Sequence, residues 1–173
     1  LLSAVFVFIV SSLMHMVLTY HGKDSKAVPS EDEVMAALRP FQIPEGEYFM
    51  PHVTDAKQRQ TEEFKARVEK GPVAFMTFIP ADYGMGGKLA MWFLYSIFVG
   101  LFTAYLAGHA LESGASFMAV FRFTGAAAFG GYALALIQNS IWYGRGWGNT
   151  LKLMGDGFVY ATVTAATFGW LWP

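Results

Sequence analysis

Twenty of the 25 charged residues in this chain lie between His21 and Lys88. Outside that segment only Glu112, Arg122, Arg145, Lys152 and Asp156 carry charge. The chain is 54% hydrophobic and 14% charged, whereas an ordinary soluble domain is about 25% charged. Such segregation leaves long apolar stretches on either side of one polar segment. Within them, small residues recur every four positions: Ser96, Gly100, Ala104 and Gly108; Ala127, Gly131 and Ala135; Gly157, Ala161, Ala165 and Gly169. Positions i and i+4 share a helix face, and a small-residue stripe lets helix backbones approach closely inside lipid. The expected fold is an all-α membrane protein. Four transmembrane helices are expected, with a small α+β extramembrane insert between the first and second.

The expected spans are residues 1–20, 88–108, 117–139 and 151–172, with the insert at 21–87 and the last three spans grouped as 88–173. The first would reach roughly 30 Å, one hydrocarbon thickness. It has neither a basic start nor a small-x-small site after its apolar run, so an uncleaved anchor is expected. The short link at 109–116 predicts an antiparallel hairpin. Trp142, Tyr143 and Trp147 suit one membrane interface, and Trp170 and Trp172 the other. Four spans place both termini on one side. Lys23, Lys26, Lys88, Arg145 and Lys152 flank the insert face and Arg122 the opposite face. That distribution leans towards a cytoplasmic insert, but a loop of this length weighs little. A multi-pass inner-membrane location is expected, with the side of the insert left open.

Inside the insert, Ser30-Glu31-Asp32-Glu33 has the form of a capping box and predicts a short helix stopped by Pro40. Pro44-Glu45-Gly46 reads as a turn, with Tyr48, Phe49 and Met50 extended after it. A second helix is expected from Thr61 to Lys70, with Glu63 and Arg67 paired at i, i+4. Val73 to Ile79 reads as a strand.

Polar groups within apolar spans are functional suspects by default. By depth, His15, His21, Gln138, Asn139, Lys152 and Asp156 fall at the insert-side end. They form either a pocket for an ion or small ligand or a hydrogen-bond network fastening the insert to the bundle. Lys152 and Asp156 are placed to neutralise each other at i, i+4. Arg122, near the other end, is read as snorkelling to headgroups, or as a contact to a partner subunit. Met14-His15-Met16, His21 and Met50-Pro51-His52 supply donors that suit copper, but at no recognised spacing, so no metal is expected. A span histidine could ligate a chlorophyll-type pigment, and lipid contacts are expected along the spans, but no cofactor is identified. Gly84-Met85-Gly86-Gly87 lacks the Gly-Lys-Ser/Thr ending of a phosphate loop. No nucleophile elbow or metalloprotease spacing occurs, so an enzyme is not expected. Net charge is −1, which gives no reason to expect a nucleic-acid partner.

The motifs Ile141-Trp142-Tyr143, Gly146-Trp147-Gly148, Asp156-Gly157 and Thr164-Ala165-Ala166-Thr167-Phe168-Gly169-Trp170-Leu171-Trp172-Pro173 are distinctive. With Leu38-Arg39-Pro40, Pro44-x-Gly46-x-Tyr48 and Gly71-Pro72-Val73, the chain resembles a family of small uncharacterised bacterial four-span integral membrane proteins. The resemblance implies architecture and a bacterial origin and carries no activity. Photosynthetic and respiratory complexes recruit small subunits of this kind. The expected role is therefore a non-catalytic accessory or structural subunit of a larger bacterial membrane complex. The alternative is a small transporter or channel with an insert-side polar pocket around Asp156. Expected partners are the lipid bilayer and other membrane subunits.

Overall fold

The computed structural model describes every residue except Tyr83, which falls in the expected insert. The chain divides into two compact units: Leu1–Lys26 with Gly84–Pro173, and Ala27–Tyr83. It is mostly helical with one two-stranded hairpin.

The smaller unit holds α2 (Glu31–Leu38), β1 (Gly46–Met50), α3 (Glu62–Lys70) and β2 (Ala74–Phe78). β1 and β2 pair antiparallel with Tyr48 opposite Met76. Aromatic cross-strand contacts join Phe49 to Phe75, at 4.6 Å between ring centroids, and Tyr48 to Phe78, at 5.8 Å. Thr61 caps α3 by accepting from the Phe64 amide at 3.3 Å. Gly71, at φ +59°, ends it. Two local expectations fail here. Ser30 takes a left-handed backbone, so its side chain makes no cap bond and the capping box does not close. The ion pair on α3 is Lys65 with Glu62, at 2.7 Å, and not Glu63 with Arg67. Among the described residues of this unit only Pro51 is buried, as expected for so short a segment with little core.

The larger unit is a bundle of α1 (Leu2–Met16), α4 (Met85–Ala110), an arm made of α5 (Phe117–Tyr132) and α6 (Ile137–Tyr143), and α7 (Trp147–Leu171). Helices adjacent around the bundle run α1–α4–α5–α7 and back to α1. Side-chain pairings fix their directions. Gly125 faces Ala165 and Gly169 faces Phe117, so α5 and α7 are antiparallel. Gly131 faces Val99, and Gly100 faces Ser3. All four neighbouring pairs are antiparallel. α4, with a mean hydropathy of 1.8, and the α5–α6 arm, with 1.4, are long and apolar enough to cross a bilayer. α1 is apolar but only 15 residues long, ending four residues short of the expected Tyr20.

The core follows the true helical repeat, so only some rungs of the small-residue ladders face the bundle. Four residues advance a helix by about 40° more than one full turn, so a strict four-residue ladder rotates off a straight contact face. On α4 the buried side is Ser96, Val99, Gly100, Thr103 and Ala107, while Ala104 and Gly108 are exposed. On α5 the buried side is Val120, Thr124, Ala128 and Tyr132. Ala127 is half-buried, and Ala135 is exposed in a 3-10 turn, Leu134–Leu136. Gly131, though exposed, still lies where an added Cβ would meet the Val99 side chain at 3.1 Å. On α7, Gly157, Ala161 and Ala165 are buried and Gly169 is half-buried against the Phe117 ring.

The third expected span is not one straight helix. α5 stops at Tyr132, and Ala133 leaves helical geometry at φ −134°, ψ −40°. The Tyr95 hydroxyl of α4 donates to the Gly131 carbonyl, which in an unbroken helix would accept from the amide four residues on. The break sets the Tyr132 carbonyl and the Ala133 methyl against Gly157.

Candidate functional site

The C-terminal end of α1 meets the first two turns of α7 in a dense polar cluster. Asn149, Lys152 and Asp156 fall at i, i+3 and i+7 on α7, one face of that helix. After Met16 the chain leaves α1 and coils into a 3-10 turn, Thr19–Lys23, because its polar groups have partners on that face. The Tyr20 hydroxyl donates to Asp156 Oδ1. The Tyr20 carbonyl accepts from Lys152 Nζ at 2.9 Å, and the same ammonium pairs with Asp24 Oδ1. Asn149 Nδ2 donates to the Asp24 carbonyl at 2.5 Å.

His21 lies between the two carboxylates. Its Nδ1 is 2.6 Å from Asp24 Oδ2, and its Nε2 is 2.9 Å from Asp156 Oδ2. Asp156 is 4% exposed. The His15 ring stacks on His21 at 4.3 Å between centroids and 12° between planes. His15 Nδ1 is 3.0 Å from the Ser11 carbonyl and 3.4 Å from the Tyr160 hydroxyl. Hydrogen bonds from Lys152 and then from His21 hold the Asp24 carboxyl below its ordinary range.

Beneath the cluster an aromatic hub ties the bundle together. Trp92 of α4 lies 5.5 Å from Tyr160 and 6.1 Å from Tyr132 between ring centroids. Tyr132 and Tyr160 are 5.8 Å apart. The Trp92 indole N–H donates to Ser11 Oγ of α1 at 2.8 Å. All four bundle helices are therefore represented within two contacts of His15.

No protein-family model, curated protein or solved structure matches this chain.

Of the six polar residues singled out in the sequence, His15, His21, Lys152 and Asp156 come together. Gln138 is exposed on α6, and Asn139 is half-buried. The Asn139 carbonyl accepts from the Arg145 amide, and neither side chain joins the cluster. Lys152 and Asp156 do not neutralise each other: each turns to the segment after α1, where Asp24, Tyr20 and His21 wait. Arg122 is exposed. Sequence reading missed Tyr20, Asp24, Asn149 and Tyr160. A usable signal existed in Tyr20-His21-Gly22-Lys23-Asp24, whose donors and acceptors complement those of Asn149, Lys152 and Asp156.

Proposed function

We propose that this chain is a non-catalytic accessory subunit of a larger bacterial inner-membrane complex. In this reading α1, α4, the α5–α6 arm and α7 cross the bilayer, in keeping with the resemblance to small four-span bacterial membrane proteins. One observation carries it. α4 presents Met91, Leu94, Phe98, Leu101, Phe102 and Tyr105 along one exposed side, and its most apolar window is only 22% buried. A soluble protein does not leave so long an apolar face in water, whereas lipid or partner helices cover it at no cost. The polar cluster then acts as a clasp that locks α1 onto α7.

The interior favours packing over conduction. Beyond Tyr160, the buried hydroxyls of Thr164 on α7 and Thr124 on α5 donate to carbonyls of their own helices. The Thr103 hydroxyl of α4 is buried without a partner, but among the described residues it is a single group and not the ladder of polar groups leading from Asp156 that a small transporter or channel would need.

Gentle detergent extraction from the native membrane, followed by native mass analysis and an absorption spectrum, tests the proposal. Recovery in a larger complex, of the photosynthetic or respiratory kind or another, is the expected result. Recovery only as a lone chain or homo-oligomer would overturn it.

A further inference from the structure

We propose that the clasp between α1 and α7 is a proton-operated latch: the proton shared by His21 and Asp156 holds the segment after α1 on α7, and its loss as pH rises releases that segment. The latch lies wholly within the larger unit. It rests on the clasp and not on the accessory-subunit reading.

Both ring nitrogens of His21 face carboxylates. Nδ1 stands 2.6 Å from Asp24 Oδ2, and Nε2 stands 2.9 Å from Asp156 Oδ2. A neutral imidazole carries a single N–H, so it can donate to only one of them. At the other, a nitrogen lone pair would face a carboxylate oxygen at hydrogen-bond distance, which is repulsive. The arrangement therefore holds one proton more than a neutral His21 and an ionised Asp156 would, on the line between Nε2 and Oδ2. Whichever atom carries it, that proton belongs to the pair. The charge count agrees. With the proton, Lys152 and His21 balance Asp24 and Asp156; without it, the two carboxylates have the Lys152 ammonium alone. Asp156 is buried, where an uncompensated charge is most costly.

The titratable groups around His21 come from three elements. Its own turn brings Tyr20 and Asp24, while Lys23 of that turn is exposed. α7 brings Lys152 and Asp156, with Tyr160 beside His15. α1 brings His15, whose ring stacks on His21 and whose Nδ1 bonds the Ser11 carbonyl. Burial, and then the hydrogen bond to Asp156, pushes the Tyr20 hydroxyl up to about 12, so it remains a donor at neutral pH. Hydrogen bonds from Lys152 and then His21 keep Asp24 ionised. Imidazole is the side chain that changes charge near neutral pH, and of the two here only His21 bridges the carboxylates. The sign follows. The bridge is complete while the pair keeps its proton and is lost as pH rises past the point where the proton leaves. The turn so released, Thr19–Lys23, runs through Asp24, Ser25 and Lys26 into the smaller unit. Opening the latch therefore lengthens the free chain leading into that unit.

The test is amide hydrogen exchange on the detergent-solubilised full chain, corrected for the intrinsic effect of pH on exchange. Protection at residues 19–24, relative to residues 96–103 of α4, is expected to fall ~10-fold or more between about pH 5 and about pH 9. His21→Gln keeps a donor but cannot titrate, and is expected to abolish this dependence. His15→Gln is expected to retain it. Nitrogen resonances of labelled histidine in the wild type give a second reading that survives a variant failing to fold. The His21 ring is expected to titrate with the same midpoint as the loss of protection. Protection that does not change over this range, a fall that persists in His21→Gln, a fall that His15→Gln abolishes, or a His21 titration with a different midpoint would overturn the inference. None of these outcomes bears on whether the chain is recovered in a larger complex.

Discussion

Gly157 shows how little room separates α5 from α7. A Cβ built there would lie 2.7 Å from the Ala133 Cβ and 3.0 Å from the Tyr132 carbonyl oxygen. Backbone would have to move, because neither atom is the end of a flexible side chain. Two residues earlier on the same helix, a Cβ at Gly155 would meet nothing within 4 Å. The two glycines look alike in sequence and should differ in response. Gly157→Ala is expected to destabilise the bundle by about 1–3 kcal/mol through overpacking. Gly155→Ala is expected to be neutral or to stabilise by up to about 1 kcal/mol, through helix propensity. Thermal unfolding in detergent distinguishes them, and equal melting temperatures would refute the close α5–α7 contact. The four-residue ladder on α7 was readable because three of its four members stay buried. On α4 the ladder leaves the bundle contact beyond Gly100, since Ala104 and Gly108 turn outwards while Thr103 and Ala107 take the buried side.

Among the elements, the broken arm of α5 and α6 is the least legible in sequence. Gly130-Gly131 permits a break but does not require one, and the run to Asn139 is apolar throughout. The break is sited by a residue of another helix, Tyr95, whose hydroxyl takes the Gly131 carbonyl. Tyr95→Phe removes that donor while keeping the ring. A loss of about 0.5–1.5 kcal/mol is expected, the net worth of one hydrogen bond. Amide exchange at residues 133–137 is expected to slow as the Gly131 carbonyl returns to the helix ladder. Unchanged exchange there would place the cause of the break elsewhere. α1 presents the converse case. Its apolar run reads on to Leu18 and Tyr20, yet the helix stops at Met16 because Tyr20, His21 and Asp24 bond to α7. Tertiary hydrogen bonds outweigh the propensity to continue, which is worth only tenths of a kcal/mol per residue.

For the whole molecule, the decisive property is the exposed apolar face. Leu101, in the interior of α4, is 60% exposed. If that face meets hydrocarbon, Leu101→Lys carries an insertion cost of roughly 2.5–3.5 kcal/mol near the helix centre. Residue Ser96 of the same helix is fully buried, with its hydroxyl donating to the Trp92 carbonyl. Ser96→Ala is expected to leave insertion unaffected. The share of chain resisting alkaline carbonate extraction reads the difference. Retention of Leu101→Lys at the wild-type level would argue that α4 does not sit in lipid. The aromatic hub of Trp92, Tyr132 and Tyr160 belongs to this scale too, because it joins residues 92, 132 and 160 of three helices to Ser11 of a fourth.

The sequence by itself determined most of the helical stretches, where the polar segment lies, and the extended pieces that become β1 and β2, but neither the end of α1 nor the break between α5 and α6. Those features follow from hydropathy, helical period and turn chemistry, all local along the chain. It also places His15, His21, Gln138, Asn139, Lys152 and Asp156 towards one end of the apolar stretches, since position along a helix is a matter of counting residues. Only the tertiary structure decided which of them touch. Asp24 and Asp156 are separated by more than a hundred residues yet bracket one imidazole, and pairing across that distance depends on helix rotation and crossing. A ladder of small residues shows that close approach is allowed, but the angle accumulated over each turn decides which rung meets a neighbour. For the same reason the cluster of His15, His21 and Asp156 has no motif: its geometry exists only once α1 and α7 are side by side.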